Sequence, residues 1–82
     1  MTEVYIRYHW QEESVTYYVH YVDGWAVRQL EISNRGKIFL TEEYPTAGDS
    51  ELSDQPFSAS DFSEEHFISR DAFEHAWSEG QS

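Results

Sequence analysis

The side chains in this 82-residue chain with types suited to chemistry are four histidines, three adjacent carboxylate pairs and one arginine set among apolar residues. His9 and His20 fall on neighbouring strand-like runs, and His66 and His75 lie nine positions apart. No two of them have the helical i, i+4 or short-range spacing of a zinc site, so solvated surface positions are expected for all four. Glu12-Glu13, Glu42-Glu43 and Glu64-Glu65 are adjacent, and a strand sends adjacent residues to opposite faces. A general acid also needs a desolvated pocket, for which a small sheet with one helix has little room. The chain has no Gly-rich phosphate loop and no GxSxG elbow. It has no cysteine, which removes disulfides, thiolate metal sites and a cysteine nucleophile. The expectation is a non-enzymatic protein with no catalytic residues, no metal and no cofactor. Arg28 is expected to pack its stem on the core and to reach a carboxylate such as Asp61 or Glu74.

Charge points to a partner. The net formal charge is −11, and it is unevenly spread. Residues 1–40 carry five acids (Glu3, Glu12, Glu13, Asp23, Glu31) against four bases (Arg7, Arg28, Arg35, Lys37), a net −1. Residues 41–82 carry eleven acids against Arg70 alone, a net −10. Nucleic acid and anionic membrane surfaces would repel such a chain, whereas a basic protein would be drawn to it. Acidity for solubility alone is the plainer alternative. No run of about 18 apolar residues is present, and the N-terminal stretch lacks the basic-then-apolar order of a signal peptide. A cytoplasmic protein is expected.

The elements that must position these residues form one α+β domain over 1–82: a sheet (1–41), a long acidic loop (42–60) and a helical C-terminal part (61–79). Val4, Ile6, Tyr8 and Trp10 alternate with polar residues, and Val15, Tyr17, Val19 and Tyr21 do the same. Asp23-Gly24 signals a type I′ hairpin, and Asn34-Arg35-Gly36 suits a three-residue turn with a bulge. A four-stranded antiparallel meander follows. Its expected register pairs Trp10 with Val15, Val19 with Arg28, Tyr17 with Leu30 and Leu30 with Leu40. All apolar positions then share one face, with Arg28 as the exception, and Trp10, Tyr17, Leu30, Ile38, Phe73 and Trp77 share one core. Leu52 and Phe57 anchor the loop, and Asp61 to Phe67 forms one helical turn. Ser69 caps a last helix whose stripe is Phe73, Ala76 and Trp77, ended by Gly80 and packed on the apolar face.

The opposite face carries Tyr5, Arg7, His9, Tyr18, His20, Val22, Trp25, Val27 and Phe39. This is aromatic for a solvated face. It is either an interface or a second small core under the folded-back loop.

The run "WAVRQLEISNRGKI", a loop with "DQPF" and the tail "DFSEEHFISRDAFEHAW" resemble a small bacterial domain family. Its members have a YEVRxxEI hairpin and an EFxxxxISxxEFExxW tail. The matching positions are Trp10, Val27, Arg28, Glu31, Ile32, Gly36, Pro56, Phe62, Ile68, Ser69, Phe73, Glu74 and Trp77. The chain departs from the pattern at Asn34-Arg35-Gly36, where an Asp-Gly turn is usual. The resemblance implies no active-site residues. In size and acidity the chain is similar to toxin-immunity proteins and to phage-encoded inhibitors of host defence.

The function expected is an immunity-type inhibitor that covers a basic partner, a nuclease or defence effector. Glu42, Glu43, Asp49, Glu51, Asp54, Glu64 and Glu65 supply charge, and Trp25, Tyr18 or Tyr5 supplies an apolar anchor. The alternatives are a nucleic-acid mimic of the anti-CRISPR type and a homodimeric structural domain built on the aromatic face.

Overall fold

In the computed structural model, which describes residues 2–48 and 50–81, residues 3–41 form the expected antiparallel meander. Strands β1 (Glu3–Trp10), β2 (Val15–Val22), β3 (Trp25–Ser33) and β4 (Gly36–Thr41) lie in the order β1-β2-β3-β4. The chain is therefore α+β, with one C-terminal helix, α1 (Arg70–Gln81). Asp23 and Gly24 both have positive φ (50° and 90°), as a type I′ turn requires. The β1–β2 register is as expected, with Trp10 opposite Val15, Tyr8 opposite Tyr17 and Ile6 opposite Val19.

The register of β3 is not the expected one. Tyr21 pairs with Ala26, but His20 pairs with Arg28, so Val27 is an extra residue in a β-bulge. Beyond it Val19 faces Gln29, Tyr17 faces Glu31 and Tyr18 faces Leu30. A one-residue slip exchanges the two faces of a strand. Arg28, Leu30 and Ile32 therefore lie on the Tyr5 and His20 face, while Gln29 and Glu31 lie beside Val19 and Tyr17. The second hairpin is also one residue shorter than expected, with Ser33 opposite Gly36 across Asn34-Arg35. The two offsets cancel. Ile38 and Leu40 return to the Val19 face, opposite Glu31 and Gln29, and Phe39 sits opposite Leu30.

The covering layers are exchanged relative to the expectation. Helix α1 packs on the Tyr5, His20 and Phe39 face. Phe73 is fully buried there, 5.4 Å from the Tyr5 ring and 5.7 Å from His20, and Trp77 meets Phe39 edge-on at 4.9 Å. The physical reason is the bulge, which brings Leu30 and Arg28 to that face and leaves polar Gln29 and Glu31 on the other. The other face is covered by the segment before the helix. Leu52, Phe57 and Phe62 pack on Ile6, Val19, Tyr21 and Ala26. The core is thus two layers, and the six residues expected to share one core are divided. Leu30 of β3 lies with Phe73 and Trp77 of α1 on the helix side, and Trp10, Tyr17 and Ile38 lie on the far side of the sheet.

The segment after β4 holds a two-stranded hairpin, β5 (Thr46–Ala47) with β6 (Ser50–Glu51). Two short 3-10 turns, Ala59–Asp61 and Glu64–His66, stand where one helical turn was expected. Ser69 caps α1 as anticipated, its Oγ accepting from the Ala72 N–H at 3.1 Å. Gly80 does not stop the helix, which runs on to Gln81. Among the described residues no helix is long and apolar enough to cross a membrane.

Phe73→Ala is expected to cost about 3–5 kcal/mol, the usual range for emptying a fully buried aromatic site. Trp10→Ala, at a position 39% exposed, is expected to cost about 1 kcal/mol or less, as near-surface substitutions do. Urea unfolding of both variants checks the two-layer assignment, because a core centred on Trp10 would reverse the order.

Candidate functional site

Two polar constellations result from this arrangement, one on each face. The first lies under α1. Arg28 binds Glu74 through two parallel bonds, Nη1 to Oε1 at 2.9 Å and Nη2 to Oε2 at 3.0 Å. Its guanidinium lies over Phe73 at 4.8 Å and Trp77 at 5.3 Å. Its Nε–H donates to His20 Nδ1 at 3.1 Å, and His20 Nε2 meets Glu3 Oε1 at 2.9 Å. Arginine can only donate, so Nδ1 must accept and Nε2 must carry the proton given to Glu3. The Tyr5 hydroxyl donates to the same Glu3 oxygen at 3.2 Å, and the Tyr5 ring stacks on His20 at 4.4 Å.

The order carboxylate–histidine resembles a catalytic pair, but both imidazole nitrogens are occupied and His20 is only 6% exposed. No nitrogen is left to exchange a proton with a substrate, and the chain of bonds acts as a clamp between sheet and helix. A partly exposed ion pair such as this one contributes about 1 kcal/mol. Burying a phenylalanine contributes about 1.5–3 kcal/mol, so Phe73 supplies the adhesion and Arg28 the alignment. His20, expected on the surface, is therefore a correction, and Tyr5 cannot serve as a partner anchor because it is 8% exposed beneath the helix.

The second constellation is a groove of about 760 Å³ on the opposite face, where the covering segment stops short. Val15, Tyr17 and Ile38 give it an apolar floor, Glu13, Glu31 and Glu51 line it with carboxylates, and Arg35 stands at the turn end. Glu31 is held in place, accepting from Gln29 Nε2 at 2.9 Å and from Ser50 Oγ at 3.0 Å. Gln29 also binds the β6 region, its Oε1 accepting from the Ser53 N–H at 3.2 Å. Burial, then the nearby Glu31 and Glu13 carboxylates, push the Tyr17 phenol up. A negative site with an aromatic floor suits a cation carried on an apolar stem.

Of the acids expected to form one binding surface, only Glu51 lines this groove. Glu42 and Glu43 are exposed just beyond β4, and Asp54 is exposed in the covering segment. Glu64 and Glu65 are exposed on a 3-10 turn beside β1, where Glu65 lines a small cleft with Arg7, His9 and His66. β1 and β4 are opposite edges of the sheet, so these two carboxylate pairs do not converge. Asp49 lies outside the described residues. Trp25 is 53% exposed at the Asp23-Gly24 hairpin, and Tyr18 is half-buried, its hydroxyl accepting from Arg7 Nε at 3.1 Å. Glu13, Tyr17 and Glu31 were not anticipated. The signal for them was Arg28, the one polar residue on an otherwise apolar face, which marked the slipped register. Among the described residues no three His, Asp or Glu side chains are grouped as a metal site needs.

The clamp has a pH signature. Burial, opposed by the Glu3 bond, pulls the His20 pKa below its ordinary 6.5. The Arg28 bond lowers the Glu74 pKa, and the His20 bond lowers that of Glu3. In each case the unfolded chain binds protons more readily, so the stabilisation is present at neutral pH and lost on acidification. The His20 part is expected to fade as pH falls below about 6.5, and the carboxylate part below about 4.5. Urea midpoints between pH 7.5 and 5 should fall in the native chain, and the slope in that window should flatten in His20→Gln.

The chain matches no protein-family model, no curated protein and no solved structure.

Proposed function

We propose that this is a non-enzymatic acidic binding protein of the cytoplasm that inhibits a basic protein partner, a nuclease or similar effector, in the manner of an immunity protein. The observation that carries this reading is the groove, where three carboxylates surround an apolar floor in a chain of net charge −11. The groove gives short-range recognition of a cationic side chain. The wider acidic surface, Glu42, Glu43, Asp54, Glu64 and Glu65, gives long-range attraction. These roles separate kinetically, since remote charges act on the association rate and close contacts on dissociation.

The partner is identified by affinity capture from the source cell and mass spectrometry, then measured by surface plasmon resonance at two salt concentrations. Association is expected to slow markedly between 0.1 M and 1 M salt, as the Debye length falls from about 10 Å to about 3 Å. Replacing Glu42, Glu43, Glu64 and Glu65 with Gln should slow association with little change in dissociation. Glu13→Gln with Glu51→Gln should mainly speed dissociation. An association rate indifferent to salt and to the four-fold neutralisation would leave acidity as a solubility feature.

A further inference from the structure

The groove is bordered by β4, an edge strand of the four-stranded sheet, against which β5 also packs. The Thr41 N–H turns away from β3 and donates to the Tyr44 carbonyl at 3.1 Å. Strand residues alternate in direction, so Lys37 and Phe39 also present their N–H and C=O groups outward, while Gly36, Ile38 and Leu40 face β3. Among the described residues these outward groups of Lys37 and Phe39 have no backbone partner. The opposite edge is treated differently. Ile6 of β1 bridges to Phe67, and the Ile68 N–H donates to the Tyr5 carbonyl at 3.0 Å. The next outward positions of β1 are Arg7 and His9, and the Arg7 charge would repel a cationic segment.

We infer that an extended segment of the basic partner docks as an added strand along β4, placing alternate Lys or Arg side chains over Ile38 into the carboxylate-lined groove. This rests on the basic-partner reading above and specifies the kind of segment recognised. Strands are spaced about 4.8 Å apart, so the added strand lies about 10 Å from β3, a gap that a Lys side chain and a Glu side chain close from opposite sides. Glu31 on β3 is already aimed by Gln29 and Ser50. The other alternate residues of the segment lie on the helix side, near Lys37, and are therefore uncharged or acidic. A second copy of this chain is the poorer occupant: it brings a charge of −11 against −11, and its β4 offers Lys37 as its one charged residue. Backbone pairing supplies affinity and the groove supplies selection, as in strand addition generally.

The test uses an eight-residue peptide of alternating Lys and Thr, a copy N-methylated at alternate amides, and isothermal titration at 0.05 M and 0.3 M salt. The unmodified peptide is expected to bind in a salt-sensitive way, about tenfold more weakly to Glu13→Gln with Glu51→Gln. N-methylation on the β4-facing amides, which keeps every charge, should weaken binding at least tenfold. Lys37→Pro removes an outward N–H without touching the β3 ladder, and Lys37→Ala removes the same charge but keeps the donor. Lys37→Pro should bind at least tenfold more weakly than Lys37→Ala, with circular dichroism confirming that it folds. If it does not fold, the N-methylated peptide on the native chain decides. Equal binding of the two peptides overturns strand docking while leaving the basic-partner reading intact. No binding of the unmodified peptide at millimolar concentration also overturns it. The basic-partner reading itself falls only if association of the captured native partner ignores salt.

Discussion

One inserted residue governs both faces of this protein. Val27 has no partner of its own between the Tyr21–Ala26 and His20–Arg28 pairs, and a bulge reverses the side-chain direction of everything that follows in the strand. Leu30 and Arg28 thereby reach the helix, and Gln29 and Glu31 reach the groove. Without the bulge Leu30 would face Tyr17, and Arg28 would face Val19 on the side of the sheet away from Glu74. The helix would have lost both its apolar seat and its ion pair.

The clamp under the helix shows how a small cysteine-free chain aligns two layers. Arg28 joins elements 46 residues apart in sequence through a planar bidentate bond, stacks on two helix aromatics and fixes the His20 tautomer at once. A lysine at position 28 would supply charge but neither the fork nor the stacking. The groove on the opposite face follows from incomplete coverage. Leu52, Phe57 and Phe62 shield the Ile6 and Tyr21 half of the sheet. The Tyr17 and Ile38 half is left as floor, with carboxylates arriving from a turn, a central strand and the β5–β6 hairpin. The groove thus lies on the less covered face, and the Arg28 network holds the helix on the other.

Sequence by itself determined the meander, the Asp23-Gly24 turn, the β1–β2 register and the Ser69 cap. Each rests on local chemistry: alternation with period two, a dipeptide that tolerates positive φ, and a side-chain oxygen able to reach a free helix N–H. Leu52 and Phe57 were legible as anchors because they are isolated apolar residues in a polar stretch. The face of the helix and the whole groove were not legible. Aromatic residues occupy both faces of β1 and β2, so hydrophobicity could not say which face the helix covers. The bulge at Val27 has no glycine or turn residue to mark it; its one trace was Arg28 on an apolar face. Only packing resolves such a tie. Phe73, Trp77 and Glu74 together fit the face that offers Leu30, His20 and the Arg28 fork, and a single misplaced residue in β3 would have denied them Leu30 and Arg28.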